Sequence, residues 1–359
     1  MTAYYLLTGV PVLLALLMYE IKRVYRLERP PYQRAVIWSF FGIYFFLMAC
    51  RGSVVGIDTW NYLSKFQTAR HTGWVEYVSA SSSEGFALLT KLISAVTGSE
   101  QVFLAVTSLL IIFPIAKLYA EKSESPLLTI SLFLVLPVFS MFFSGMRQSL
   151  AIALVPLAFR YVQEKKPWRF LLVVVLATTF HKSAWLILLL YPVYYMNITR
   201  KALLWAVPLL VLVYVFNDQI YLAIVNVSYY VFAQRYSYTG ATGAYSMLVL
   251  FVILLAFSYV FLGDTDEEAT GLRNILVLTV GIQCFALINN IAMRMNYYFL
   301  VFLPLLLPKV IRRMSGRNKW FAGIVEFVCC VYFFYYFLQK AYTAQGGFNI
   351  FPYVPFWNV

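Results

Sequence analysis

The sequence predicts an all-α polytopic membrane protein, with residues 1–359 forming a single integral membrane domain. Hydrophobic residues make up 62% of the chain and charged residues only 12%, whereas a soluble domain carries about 25% charged residues. The mean hydropathy is +0.75. Apolar runs long enough to enter a bilayer recur along the chain, separated by connections that carry Lys and Arg. These observations exclude a soluble globular protein.

The pattern predicts about 12 hydrophobic segments. They cover 2–21, 35–50, 102–119, 126–143, 149–162, 170–181, 184–196, 202–217, 244–262, 273–290, 295–311 and 320–338. Basic residues follow the first segment and none precedes it. This order favours an uncleaved anchor with an outer N-terminus over a secretory signal peptide.

The distribution of basic residues selects the predicted topology. If residues 170–196 form a short re-entrant helical hairpin, 19 of the 28 Lys and Arg residues fall on the inner side. This agrees with the positive-inside bias of membrane proteins. If 170–196 is instead one ordinary span, every later connection changes side and the basic connection 309–319 moves outside. The hairpin is therefore the better prediction.

The predicted hairpin explains two polar residues at the centre of an apolar run. His181 and Lys182 would lie near the bilayer midplane of an ordinary span, where a Lys costs roughly 2.5–3.5 kcal/mol. Hairpin arms of about 12 and 13 residues reach about 18–20 Å, less than the ~30 Å hydrocarbon core. The two residues are therefore predicted to sit at a tip inside a wet, protein-lined cavity that opens outward.

The same topology places further polar residues on the outer side. Residues 51–100 form a large outer loop with amphipathic helices, and 218–243 form a second outer amphipathic segment. The predicted outer-side site residues are Arg51, Asp58, Tyr62, Glu84, Arg147, Gln148, Arg235, Arg294 and Tyr298. A single Arg at a span end commonly reaches the lipid headgroups. Several of them on the side that should be poor in basic residues favour a phosphate site, because guanidinium groups match phosphate oxygens.

Two other patterns are weaker indications of function. Asp264 and Asp266 resemble a metal-binding D-x-D pair, but they fall on the predicted inner side, where a solvated acidic turn is the simpler interpretation. Ser144 and His181 lack the third group and the G-x-S-x-G context of a nucleophilic dyad. The four cysteines lie in apolar segments without a metal-binding spacing. The sequence therefore predicts no metal and no cofactor.

Five short motifs occur in one order along the chain: RGSVVGIDTWNY, EGF, SGMRQSLA, FHKSA and RMNYY, with PYVPFW at the end. This ordered set resembles the EpsG-like branch of the Wzy-type polysaccharide polymerases over residues 51–359. The resemblance implies a bacterial inner-membrane glycosyltransferase related to the GT-C class, with its site facing the periplasm or the extracellular side. Such an enzyme joins oligosaccharide repeat units that are carried on undecaprenyl pyrophosphate.

The resemblance also implies roles for residues. The family's polar motif positions fall on Arg51, Asp58, Glu84, Arg147, Gln148, His181 and Arg294. We expect Arg147 and Arg294, assisted by Lys182, to hold the pyrophosphate, with Arg51, Tyr62, Gln148, Arg235 and Tyr298 completing substrate binding. His181 is the expected general base, and Asp58 or Glu84 is the alternative base or an orienting group. One step with one base predicts inverting, metal-independent transfer.

The sequence leaves other functions open, among them a ligase or another glycosyltransferase that uses a lipid-linked donor. A lipid-linked oligosaccharide flippase also needs a cationic cavity and many spans, but it should show polar residues along several helices or an internal repeat. A glycan O-acyltransferase would need catalytic residues that acyl-CoA can reach from inside. The expected partners are the lipid-linked donor and acceptor, membrane lipid and a chain-length regulator, with no nucleic acid.

Overall fold

The computed structural model of the chain describes residues 1–25, 30–220, 222–223, 244–263, 266–286, 290–316, 318–344 and 347–358. In these residues the protein is helical, with one isolated antiparallel bridge between Arg51 and Pro355. The helices are α1 (Thr2–Tyr25), α2 (Pro30–Ala49), α3 (Thr59–His71), α4 (Trp74–Ser79), α5 (Glu84–Val96), α6 (Glu100–Lys122), α7 (Pro126–Val135), α8 (Pro137–Ser144), α9 (Met146–Ala153), α10 (Val155–Gln163), α11 (Pro167–Phe180), α12 (Leu190–Tyr195), α13 (Arg200–Val215), α14 (Ala244–Phe261), α15 (Glu267–Ala286), α16 (Asn290–Leu300), α17 (Leu303–Ser315) and α18 (Lys319–Tyr342). Short 3-10 helices cover Lys182–Leu189, Gly347–Asn349 and Phe356–Asn358.

The described residues contain four to six candidate membrane spans. The helices α6, α14, α15 and α18 are each long and apolar enough to cross a bilayer. Two bent pairs, α7 with α8 and α16 with α17, pass the same test together and bend by 64° and 54°. The all-α polytopic membrane fold is confirmed in this form. The prediction of about 12 segments is wrong.

Proline positions divide two of the apolar runs. Leu136 has an extended backbone with ψ of 143° and precedes Pro137, which opens α8. A residue before proline disfavours the helical region, and proline is tolerated in the first turn of a new helix. The run 149–162 is likewise divided between α9 and α10, which are eight and nine residues long. A sequence count of apolar residues does not register these breaks.

The hairpin is present in the fold. Helix α11 ends at Phe180, His181 has an extended backbone, and the 3-10 helix Lys182–Leu189 then packs against α11. The ring centroids of Phe170 and Tyr191, one on each arm, lie 5.3 Å apart. The two arms therefore run in opposite directions with His181 at the turn. Its entry into the membrane from the outer side stays a prediction.

Two buried hydroxyls hold the bend between α16 and α17. Tyr119 donates a 2.8 Å hydrogen bond to the carbonyl oxygen of Val301, and Thr129 donates one of 2.8 Å to that of Pro304. The Val301 carbonyl lies at the helix break, and the Pro304 carbonyl faces Pro308, which has no amide proton, so side-chain donors from the core satisfy both. The bend sets the direction of α16, which carries Arg294 and Tyr298. The core thereby positions one wall of the candidate site.

The long segment 51–100 folds into the three helices α3, α4 and α5. One face of α5 buries Phe86, Ala87, Thr90 and Ile93; the amphipathic outer loop stays a prediction. The second predicted amphipathic segment, 218–243, lies mostly outside the described residues, and Arg235 is among those outside.

We expect thiol labelling to show the hairpin tip on the outer side. A cysteine at Lys182, which is exposed at the tip, should react with an impermeant reagent added to intact cells. A cysteine at Ser315, at the end of the basic helix α17, should react only after permeabilisation. The four native cysteines are first replaced by alanine. The opposite pattern would contradict the charge-based topology.

Candidate functional site

Helix α9 begins at the centre of the candidate site. Gly145 has a non-helical backbone that separates α8 from α9, so Arg147 and Gln148 fall in the first turn of α9. The Arg147 guanidinium donates a 3.3 Å hydrogen bond from Nη1 to Ser83 Oγ. Its buried Nε has no hydrogen-bond partner among the described residues. A buried cationic donor without a protein partner is available to a ligand or to water.

Tyr62 joins the outer helices to Arg147. The Tyr62 side chain is buried, and its hydroxyl interacts with the Arg147 guanidinium. Burial raises the pKa of Tyr62, and the neighbouring Arg147 works against that rise. The Tyr62 ring also packs edge-on against Phe86 of α5, with centroids 5.3 Å apart. Helices α3 and α5 are thereby fixed beside the start of α9.

Gln148 and Ser183 tie the hairpin tip to α16. Gln148 Nε2 donates a 2.7 Å hydrogen bond to the carbonyl oxygen of Arg294. The hydroxyls of Ser183 and Tyr298 lie 3.0 Å apart and share a hydrogen bond. Tyr298 is fully buried, whereas the Arg294 side chain is exposed. These contacts hold the backbone of Arg294 in place and leave its guanidinium at the surface of the site.

His181 is held in its neutral form by its surroundings. Burial, together with the positive charges of Arg147 and Arg294, lowers the pKa of His181 to about 4. Both causes disfavour the charged imidazolium. His181 is therefore a neutral imidazole at physiological pH, the form that a general base requires. The shift also shows that the two arginines lie close enough to act on the hairpin tip.

Asp58 lies at the edge of this cluster. It is half-buried directly before α3, and its amide donates a 3.3 Å hydrogen bond to Ser144 Oγ. Its negative charge raises the pKa of Tyr62, so the carboxylate lies near the partner of Arg147. The Ser144 hydroxyl is thus engaged with the Asp58 loop, which gives it a structural function.

Glu84 and Lys182 are exposed at the edge of this cluster, here called the rim. Glu84 begins α5, next to the Ser83 hydroxyl that accepts from Arg147. The following residue, Gly85, packs so closely on the hairpin that an added Cβ would lie 2.2 Å from Thr179 Oγ1 and 3.1 Å from its carbonyl carbon. The start of α5 therefore contacts the hairpin two residues before His181.

Arg51 lies in a different environment. Its side chain is fully buried, and its guanidinium donates to the carbonyl oxygen of Met48. Burial lowers the pKa of Arg51 to about 10, against the opposing effects of Tyr44 and Tyr353. The side chain is enclosed by protein, whereas the side chains of Arg294 and Lys182 are exposed.

The structure therefore brings together most of the predicted site residues. Those joined by direct contacts or by electrostatic influence are Asp58, Tyr62, Arg147, Gln148, His181, Arg294 and Tyr298. Glu84 and Lys182 flank the cluster, Arg51 is buried apart, and Arg235 lies outside the described residues. Their catalytic and binding roles stay predictions. Sequence reasoning missed Ser83 and Ser183, whose only signal was their position beside predicted site residues.

A second polar cluster joins the predicted inner ends of four helices. Lys309 Nζ lies 3.1 Å from Glu124 Oε1 and 3.3 Å from Glu268 Oε1. Lys122 Nζ lies 2.6 Å from Glu268 Oε2, which also accepts a 3.0 Å hydrogen bond from Gln163. These acids are neutralised by partly buried bases, so the cluster clamps α6, α10, α15 and α17 together. The sequence analysis predicted only a solvated acidic turn on this side.

The predicted acidic turn lies on the same predicted inner side of the molecule. Asp266 Oδ2 accepts a 2.9 Å hydrogen bond from Arg313, and its Oδ1 accepts one from the amide of Ala269. Asp266 thus caps the start of α15 and pairs with a base, while Asp264 lies outside the described residues. No group of three or more potential metal-ligating His, Cys, Asp or Glu residues occurs in the described part of the chain.

The fold and the site define a class: a polytopic α-helical membrane protein that gathers two arginines around a neutral histidine at a hairpin tip, with carboxylates at the edge. A sequence model of the EpsG family matches residues 34–354. The chain belongs to the EpsG family, which confirms the resemblance seen in its motifs and supports a role in polysaccharide biosynthesis. The match contains every predicted site residue. No curated protein and no solved structure matches the chain.

Proposed function

We propose that this protein is a glycosyltransferase of GT-C-like architecture that polymerises oligosaccharide repeat units carried on undecaprenyl pyrophosphate. The reaction takes place at the outer face of a bacterial inner membrane. One observation carries the proposal: Arg147, with a buried Nε that lacks a protein partner, acts together with Arg294 on a neutral His181. Cations for a diphosphate and a base for a hydroxyl are the two needs of this transfer.

The donor's diphosphate occupies the cationic side of the site. Arg147 and Arg294 hold its oxygens, with Lys182 reaching it from the rim. Guanidinium groups fixed in advance neutralise the charge that builds up on the leaving group. Tyr62, Gln148 and Tyr298 keep these groups in position through the contacts described above. Arg235 belongs to the substrate-binding set by topology.

The acceptor hydroxyl approaches from the opposite side, beside His181. The imidazole removes its proton as the hydroxyl oxygen forms a bond to the donor's anomeric carbon. The bond from that carbon to the diphosphate oxygen breaks, and undecaprenyl pyrophosphate leaves with the electron pair. This single displacement inverts the anomeric configuration and requires no metal. Asp58 or Glu84 orients the acceptor sugar or the imidazole.

We expect purified protein to form a ladder of glycan products from a lipid-linked repeat unit alone, without any nucleotide sugar. The ladder should persist in EDTA, because the arginines replace a metal at the leaving group. An Arg147→Ala, His181→Ala double variant serves as the negative control. Movement of the lipid-linked unit across vesicles without a new glycosidic bond would favour the flippase instead. Activity lost in chelator and restored by magnesium would contradict the metal-independent mechanism.

A further inference from the structure

The end of the chain reaches the candidate site, and we propose that it positions two of the site's charged residues. Residues 347–356, here called the strap, connect the loop that leads to Asp58 with the guanidinium of Arg294. Phe348 is the positioning residue of the strap. The catalytic consequence rests on the proposed polymerase function, whereas the positioning itself does not.

The strap is bound to the loop 50–57 through backbone hydrogen bonds. The amides of Gly56 and Ile57 donate to the carbonyl oxygens of Asn349 and Phe348, at 3.0 and 3.1 Å. Further along, the amide of Gly52 donates at 2.8 Å to the Val354 carbonyl oxygen, and the Phe356 amide donates at 2.9 Å to that of Cys50. The strap therefore follows the loop in the antiparallel sense, up to the residue before Asp58.

Side chains secure the strap on its other side. The Tyr4 hydroxyl donates a 2.5 Å hydrogen bond to the Ile350 carbonyl oxygen, and the Tyr353 hydroxyl donates one of 3.1 Å to that of Leu47. The ring of Phe351 packs edge-on against Tyr4, with centroids 4.8 Å apart. Arg51 lies fully buried at the bridge to Pro355. Helices α1 and α2 thus fix the strap independently of Phe348.

The strap is held in an unfavourable backbone conformation where it meets the site. Phe348 and Asn349 both have positive φ, of 71° and 50°. Non-glycine residues populate this region sparsely, and such conformations persist where the surroundings over-determine them. The carbonyl oxygen of Asn349 accepts from the amide of Gly56, itself at φ of 92°, where an added Cβ would lie 2.5 Å from the Phe143 carbonyl oxygen. The strap and the loop 50–57 therefore approach each other closely at these residues.

The conformation directs the Phe348 ring toward a cation of the site. The guanidinium carbon of Arg294 lies 5.5 Å from the centroid of the Phe348 ring. This distance falls within the range of cation–π contacts. Arg294 is exposed, so a fixed aromatic surface restricts a long side chain that water would otherwise leave mobile. Phe348 thereby keeps the Arg294 charge beside the hairpin tip.

The titration of His181 tests this positioning without any substrate. The chain has two histidines, and a His71→Gln background leaves His181 as the only one for selective carbon-13 labelling and NMR. Arg147 and Arg294 face His181, with Lys182 beside it and Glu84 on the adjacent α5. Phe348→Leu releases Arg294 and should raise the pKa of His181 toward its ordinary value of about 6.5. Phe348→Tyr keeps a ring and should keep the wild-type pKa.

A matched control and a double variant separate positioning from general damage. Phe351→Leu removes a ring from the same strap, one that contacts Tyr4 rather than a cation, and should leave the pKa of His181 unchanged. Arg294→Gln should raise that pKa, and adding Phe348→Leu to it should cause no further rise. An unchanged pKa in Phe348→Leu, an equal rise in Phe351→Leu, or an additive rise in the double variant would each overturn the proposal.

The polymerase assay tests the proposed function separately from the positioning. If His181 titrates as expected but wild-type protein forms no ladder, the proposed function fails and the positioning stands. If the ladder forms and Phe348→Leu leaves the His181 pKa unchanged, the positioning fails alone. Where both hold, Phe348→Leu should weaken donor binding about two- to fivefold, the range of one exposed cation–π contact, and Phe348→Tyr should restore it.

Discussion

His181→Ala is expected to lower turnover by roughly a hundred- to ten-thousandfold, the usual contribution of a general base. Binding of the donor should be nearly unchanged, because a base acts mainly in the transition state. The structure supports this division of roles: the imidazole is neutral and lies beside two arginines that can hold the diphosphate without it. Turnover is measured by ladder formation, and donor affinity with a non-hydrolysable lipid diphosphonate.

The pH dependence of the wild-type reaction gives this expectation a second readout. The pKa of His181 is lowered to about 4 in the free protein, so the base stays neutral as pH falls until it approaches that value. The acidic limb of kcat/KM, which reports the free enzyme, should therefore lie near pH 4. In the complex, bound diphosphate offsets the charges of Arg147 and Arg294. The acidic limb of kcat should then move to higher pH, because the imidazolium is less disfavoured.

His71→Ala is the matched control, since His71 is exposed at the end of α3. It should change neither turnover nor the pH profile. If His181→Ala loses the donor but keeps both acidic limbs, His181 is a phosphate ligand. The base would then be Asp58 or Glu84, and the carboxamide variants of these two residues would decide between them.

The hairpin could be predicted from the sequence because several basic connections support it independently. Each basic connection contributes to the charge bias, and reversing the chain at His181 keeps the strongly basic 309–319 connection on the predicted inner side. The number of segments was predicted wrongly, because a count of apolar residues ignores the limits that proline places on the backbone. Pro137 and Pro156 divide runs that look continuous in composition. Hydropathy indicates which residues prefer the membrane, whereas proline limits how far a helix continues.

The residues of the site could be predicted from the sequence, but the burial and the contacts of each residue could not. Arg51 and Arg294 look alike in sequence, since both lie at the edge of an apolar run. The structure buries Arg51 completely and exposes Arg294. The difference comes from the strap, which covers the loop around Arg51 and contacts Arg294 with one ring. Its contacts join residues about 300 positions apart through backbone groups, and backbone groups leave no signature in side-chain patterns.

Arg147→Ala is expected to weaken binding of the lipid diphosphonate by roughly ten- to a hundredfold. The loss of one charge-assisted contact costs on the order of 1.5–3 kcal/mol, and each 1.36 kcal/mol corresponds to a factor of ten. Arg147→Lys should lie between the wild type and Arg147→Ala, since it keeps the charge without the planar fork. Arg70→Ala is the matched control, because Arg70 is an exposed arginine of the same predicted side. It should bind like the wild type.

The same variant also tests how Arg147 acts on the base. Removing its charge removes one cause of the low His181 pKa, so the acidic limb of kcat/KM should move to higher pH in Arg147→Ala. Arg70→Ala should leave that limb in place. If Arg147→Ala keeps donor affinity but lowers turnover, Arg147 stabilises only the charge that develops on the leaving group. If neither affinity nor the acidic limb changes, Arg147 does not face the diphosphate, and the cationic site must be sought around Arg294 and Lys182.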